Sequence, residues 1–169
     1  GPDMLRLTGR MADGVVLSAG LSVDYVKHSL ALVREGATRA GRDPERLRRA
    51  GYIFLSVSDD RREAIEAVRE KVAFLMRNRF LADNIASAGI PIDQEAIIAA
   101  VARRDMASAA RLVPDEAIEV FTVGGTPRHC LDRLGQYSSA GLDEPVLAIL
   151  GRPENRLLAL RVLREFTGP

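Results

Sequence analysis

The groups best placed to do chemistry in this chain are backbone amides rather than side chains. Gly1-Pro2-Asp3 opens an amphipathic segment. Pro2 has its φ fixed for a first helical position and no amide to leave unpaired, and Gly1 lets a ligand come close to the backbone. A helix start of this kind gathers unpaired N–H groups at the positive end of the helix dipole. That is the chemistry of phosphate binding, with about 0.3–2 kcal/mol from the dipole alone. Three more loops, Ser18-Ala19-Gly20, Val57-Ser58-Asp59 and Leu150-Gly151-Arg152, each follow a short apolar run. Ligands of parallel α/β architectures lie where the strands end, so these four loops are expected to face one way and to border one site.

The reactive side chains offer less. Asp13 precedes its strand instead of following it, which suits a cap or a turn better than catalysis. His28 and His129 stand far apart with no carboxylate at metal-ligand spacing, so no metal site is expected. Cys130 follows His129 directly, and adjacent helical residues point in different directions, so the two do not form a nucleophile pair. Cys130 reads as a small packed hydrophobe. Arg128 and Arg152 stand near helix starts, but arginine is abundant throughout and both read as surface charge. No catalytic residue is assigned.

The elements that must hold these loops follow from apolar spacing. A helix is expected over Pro2 to Met11, then a strand from Gly14 to Ser18 apolar enough to be buried on both faces. Ser22 caps a helix carrying Val23, Val26, Leu30 and Val33, which ends near Ala40-Gly41. Tyr52 to Val57 is the second strand, followed by a cap at Ser58-Asp59-Asp60 and a helix with Ala64, Ile65, Val68, Val72 and Leu75. Residues 77–120 carry no strand signal and read as a helical insertion, in which Asp93 caps one helix and Pro114 starts another. Thr126-Pro127 caps a helix with Cys130, Leu131, Leu134 and Tyr137; Pro145 to Leu150 is the third strand. A last helix, Pro153 to Phe166, presents Leu157, Leu160 and Leu163 as its buried stripe. This order is that of a parallel α/β unit with right-handed crossovers.

The segment Gly1 to Gly20, the later Gly125-Thr126-Pro127 with Leu131 and Leu134, and Ala140-Gly141 resemble, in order and spacing, the carboxy-terminal part of the luciferase-like monooxygenase superfamily. Within it the chain is similar to the branch that uses the deazaflavin coenzyme F420, whose members include methylenetetrahydromethanopterin reductases. The resemblance implies the last three parallel strands of a (β/α)8 TIM barrel. A complete barrel of that kind takes about 250 residues, so 169 residues are expected to hold only part of one. It implies F420, with FMN as the alternative, and a phosphate held by backbone amides at Gly1-Pro2 with Ser18, Ala19 and Gly20 nearby. It also implies hydride transfer between the coenzyme and a small organic substrate, performed by the coenzyme and positioned by the protein. Much of that pocket belongs to strands outside this sequence, so the chain is expected to be inactive alone. A non-catalytic truncated paralogue acting as a self-associating or binding module is the alternative.

Composition narrows the partners. Lys and Arg number 24 against 23 Asp and Glu, interleaved along helices, which leaves no basic footprint for nucleic acid or an anionic membrane. No apolar run approaches the length that spans a bilayer, and a single buried-looking cysteine fits a reducing cytoplasm. One domain over 1–169 is expected. Opening a barrel to three strands exposes apolar surface, so the chain is expected to self-associate as a homo-oligomer.

Overall fold

The structure, a computed structural model, describes residues 1–168. It begins with α1 (Pro2–Met11), β1 (Gly14–Leu17) and α2 (Val23–Arg39), and a 3-10 turn at Pro44–Arg46 leads into β2 (Arg48–Val57) and α3 (Arg61–Met76). The insertion follows: a 3-10 turn at Arg79–Leu81, then α4 (Ala82–Ser87), α5 (Gln94–Ala102), α6 (Met106–Arg111) and α7 (Asp115–Phe121). The chain closes with β3 (Val123–Gly125), α8 (Pro127–Ser139), β4 (Glu144–Leu150) and α9 (Pro153–Thr167). Local chemistry sets these boundaries. Pro occupies the first position of α1, α8 and α9. Side chains of Ser22, Asp60, Asp93 and Asp105 accept from first-turn amides of α2, α3, α5 and α6.

The four strands form one parallel sheet centred on β2. β4 pairs along Ala50–Ser56, so β1, beside Arg48–Gly51, and β3, beside Leu55–Val57, must share the opposite side of β2. The sheet is therefore three strands wide, with two short strands stacked end to end in one lane. One face, carrying Leu17, Ile53, Leu55, Val57 and Val123, lies under α2, α8 and α9 and forms a core with Val26, Leu30, Leu134, Tyr137, Ala159 and Val162. On the other face Phe54 and Leu150 pack beneath a second cluster built from α3 and the insertion, including Ile65, Val68, Ile97, Ile118 and Phe121. The insertion thus roofs the carboxyl end of the open face. Below it, Val16 is 70% exposed, and Tyr52 and Val146 are also exposed.

Several expectations are corrected here. β1 is not buried on both faces, because among the described residues nothing packs over Val16. Among the described residues there are four strands where three were expected: Val123–Gly125, assigned to no element from sequence, pairs with β2, and Gly125 O accepts from Ser58 N. β2 starts at Arg48 instead of Tyr52, since Arg48 and Arg49 lie flat in the strand as bidentate partners of Glu144 and Asp143 at 2.7–2.9 Å. The predicted Leu157–Leu160–Leu163 stripe of α9 holds only at Leu163, which packs partly buried against the core; Leu157 and Leu160 are exposed, and the buried residues are Ala159 and Val162. Asp13 does not cap with its side chain; its backbone oxygen fixes the turn by accepting from Arg48 N, and its exposed carboxylate lies 3.7 Å from Arg42.

Candidate functional site

Because all four strands run parallel, their carboxyl ends share one side of the molecule. Ser18-Ala19-Gly20, Val57-Ser58-Asp59 and Leu150-Gly151-Arg152 therefore border the same end, and Gly1-Pro2 opens α1, which packs on α2 with Gly9 against Val33 and Gly36 against Arg6. Gly1 and Pro2 are exposed, and Gly1 caps α1 with no side-chain bond to the first-turn amides. The Asp3 carboxylate on that turn is engaged with Arg6 at 3.3 Å. Ser18 is exposed, whereas Ala19 and Gly20 are buried, and Gly20 takes a φ of +86° that favours glycine.

Three side chains lock the loop after β1 in place. Asn84 of α4 is 2% exposed; its Nδ2 donates to Gly20 O, and its Oδ1 accepts from Ser22 Oγ at 3.1 Å. Ser22 Oγ in turn accepts from Tyr25 N, capping α2. Tyr137 Oη donates to Leu21 O at 2.5 Å, and burial pushes its pKa up to about 12. Leu75 and Leu81 fill the space beside Gly20. The insertion and α8 thus determine the loop's path, and sequence reasoning missed Asn84 because it sits in a short polar helix that reads as solvated.

The loops after β2 and β4 meet across an open cleft of about 700 Å³ bordered by Asp60, Glu63, Glu66, Gly151, Arg152 and Asn155. Ser58 Oγ donates to Glu63 Oε2 at 2.5 Å, and Arg152 Nε lies 2.9 Å from Glu63 Oε1. The Ser58 bond first, then the Asn155 amide and the Arg152 charge hold the Glu63 carboxyl below its ordinary pKa. Arg152, read from sequence as surface charge, is mostly exposed but ion-paired. A groove of similar size lies along α2 and Pro44–Arg49, at the amino end of the sheet, away from these loops.

Of the side chains that sequence set aside, Arg152 borders this cleft, whereas His28, His129 and Cys130 do not line it. His129 packs against Gly125 with its Nε2 buried and unpaired, and burial followed by the Arg133 and Arg61 charges lowers its pKa. Cys130 is fully buried and its thiol is pushed up to about 12, so it is a packed hydrophobe and no nucleophile. Among the described residues no cluster of His, Cys, Asp or Glu could hold a metal ion, and no helix is long and apolar enough to cross a membrane.

Comparison with known proteins adds the family context. The family model described as luciferase-like monooxygenase matches residues 1–144. A 5,10-methylenetetrahydromethanopterin reductase of Methanopyrus kandleri is 32% identical over 149 residues, covering 87% of this chain and 42% of its own length. The solved structure of the coenzyme F420-dependent tetrahydromethanopterin reductase from the same organism superposes with a TM-score of 0.81 at 28% identity, over 96% of this chain and 46% of that one. At 16% identity and a TM-score of 0.54, the oxygenating constituent of 3,6-diketocamphane monooxygenase from Pseudomonas putida, solved with FMN, shares the fold. The chain spans less than half the length of the relatives it matches. The α/β architecture is thus the expected portion of a TIM barrel, carrying a helical insertion.

Proposed function

The chain belongs to the luciferase-like monooxygenase family, and on that premise we propose that it is the carboxy-terminal part of an F420-dependent oxidoreductase, able to transfer hydride only when an amino-terminal part completes the barrel. The observation that carries this reading is the agreement of sequence and structure on one reductase type, at 32% identity and a TM-score of 0.81. The deazaflavin would supply the hydride chemistry; the chain's own residues would hold and orient it.

The residues present fit part of that task. The first-turn amides after Gly1-Pro2 have no side-chain cap, and suit a phosphate. Ser18 is exposed, while Ala19 and Gly20, already packed and bonded, would form a shaped wall rather than donate directly. One wall does not enclose a ring system, since ligand sites bury about 70–90% of their ligand. The isolated chain should therefore bind F420 weakly and reduce no carbonyl or imine substrate. Fluorescence titration tests this with FMN in parallel: tight, stoichiometric F420 binding by the chain alone would show that it needs no completion. Selective FMN binding by a completed barrel would move the protein to the flavin side of the family.

A further inference from the structure

Two neighbouring strands send their loops to opposite faces of the sheet, and a crevice opens between them. β2 feeds α3, which packs with the insertion over Phe54 and Leu150, whereas β4 feeds α9, which buries Ala159 and Val162 on the other face. The two strands stay paired as far as Ser56 and Leu150, so the chain divides at the carboxyl end of that pair. In open parallel sheets such a divergence is where ligands settle. The open cleft of about 700 Å³ lies there, within the range of ligand sites, about 300–1,000 Å³.

The floor of this cleft holds hydrogen-bonding capacity left unused. Ser56 is 1% exposed, and its Oγ has no partner among the described residues. An unpaired buried hydroxyl is costly, and folded chains seldom keep one without a reason. Gly151, at a φ of +106°, stands over it: a Cβ there would lie 3.4 Å from Ser56 Oγ and 3.8 Å from Ala67 Cβ. With no side chain on Gly151, a notch about one methyl group wide remains between the three residues. Gly151 and Ala67 both line the cleft, so an oxygen set into the notch comes within hydrogen-bond reach of Ser56 Oγ. Glu63 Oε1 is likewise buried without a hydrogen bond; Arg152 Nε stands 2.9 Å away but is not aligned to donate.

The remaining groups select the ligand. Asp60, Glu63 and Glu66 outnumber Arg62 and Arg152 around the cleft, which disfavours an anion. Asp60 is occupied capping α3 and Glu66 holding Arg69, and among the described residues no cluster could bind a metal ion. One hydroxyl and one carboxylate oxygen are left, and a carboxylate accepting from sugar hydroxyls is a common mode of recognition. We propose that the cleft binds an uncharged polyol, a sugar or sugar alcohol. One ligand hydroxyl enters the notch and bonds Ser56 Oγ, and a second donates to Glu63 Oε1 in place of Arg152, whose exposed side chain swings aside. This site goes beyond the F420 reading and does not depend on it, since every residue it uses is in this chain.

Titration of the ¹⁵N-labelled chain with glucose and, separately, ribitol tests the proposal by NMR. The amides of Ser58, Glu63, Gly151 and Asn155 should move along one saturating curve with at least one of the two, which also tells a ring from an open chain, while ethanol moves none. Ser56→Ala should weaken binding about fivefold, the loss of one ordinary hydrogen bond. Glu63→Gln should weaken it roughly tenfold or more, since the acceptor loses its charge. Ser29→Ala removes an equally unpartnered hydroxyl that does not line the cleft, and should leave affinity unchanged. Without ligand, Ser56→Ala should melt no lower than the native chain, because the hydroxyl it removes is unbonded. A lower melt would show Ser56 Oγ holding a structural water and would overturn the proposal. So would the absence of saturation with both probes, or binding that Glu63→Gln leaves intact.

Discussion

Replacing Asn84 probes whether the insertion truly holds the loop after β1. In Asn84→Ala two hydrogen bonds disappear, those to Gly20 O and from Ser22 Oγ. Each contributes about 1 kcal/mol net, and the buried Gly20 carbonyl left without a donor adds a desolvation cost of about 1–3 kcal/mol. Ser22 Oγ keeps its bond from Tyr25 N, so the α2 cap survives and nothing is added for it. The expected loss is about 3–5 kcal/mol, a fall of roughly 6–20 °C in melting temperature for a chain of this length. Urea unfolding at neutral pH measures it as a lowered midpoint with an unchanged slope. Asn84→Asp keeps the size but presents acceptors on both sides, so it should cost at least as much near neutrality. Burial beside a carbonyl raises the pKa of such an Asp, so its deficit relative to the native chain should be smallest below about pH 4 and grow as pH rises through the raised pKa. A loss under about 0.5 kcal/mol for Asn84→Ala, within the range of ordinary surface substitutions, would refute the reasoning.

Two further perturbations have signs fixed by the geometry. A Cβ at Gly9 would run into the Val33 backbone oxygen, whereas one at Gly135 meets nothing within 4 Å; Gly9→Ala should cost about 2–3 kcal/mol and Gly135→Ala should gain about 0.5–1 kcal/mol in the same melt. Equal signs would mean that the α1–α2 crossing yields easily. The folded-state pKa of Glu63 is lowered, so its contribution is present above the ordinary carboxylate range and is lost as pH falls through the lowered value. Between about pH 5 and pH 3 the urea midpoint of the native chain should fall further than that of Glu63→Gln, and parallel curves would remove Glu63 from the acid response.

The sequence was most readable where a local signal decides structure by itself. Pro2, Ser22, Asp60, Asp93 and Thr126 each fixed a helix start at or beside the observed one, because a cap or a proline acts within one turn. Strand starts were less legible. Arg48 and Arg49 look like loop residues until Asp143 and Glu144, more than ninety residues away, pair with them. Val123–Gly125 has too few side chains to signal a strand, and its place depends on β2 already being there.

Apolar periodicity in α9 illustrates the limit in its sharpest form. Spacing reveals that a helix has a leucine stripe, but it does not say which surface the stripe meets. In α9 the surface under the helix is the sheet, which favours close approach and buries Ala159 and Val162 with Leu158 and Leu163 beside them, so Leu157 and Leu160 are left exposed. The same reasoning applies to Val16 on β1, whose apolar character looked like double-sided burial. Read alone, these residues predict a core that is not in this chain.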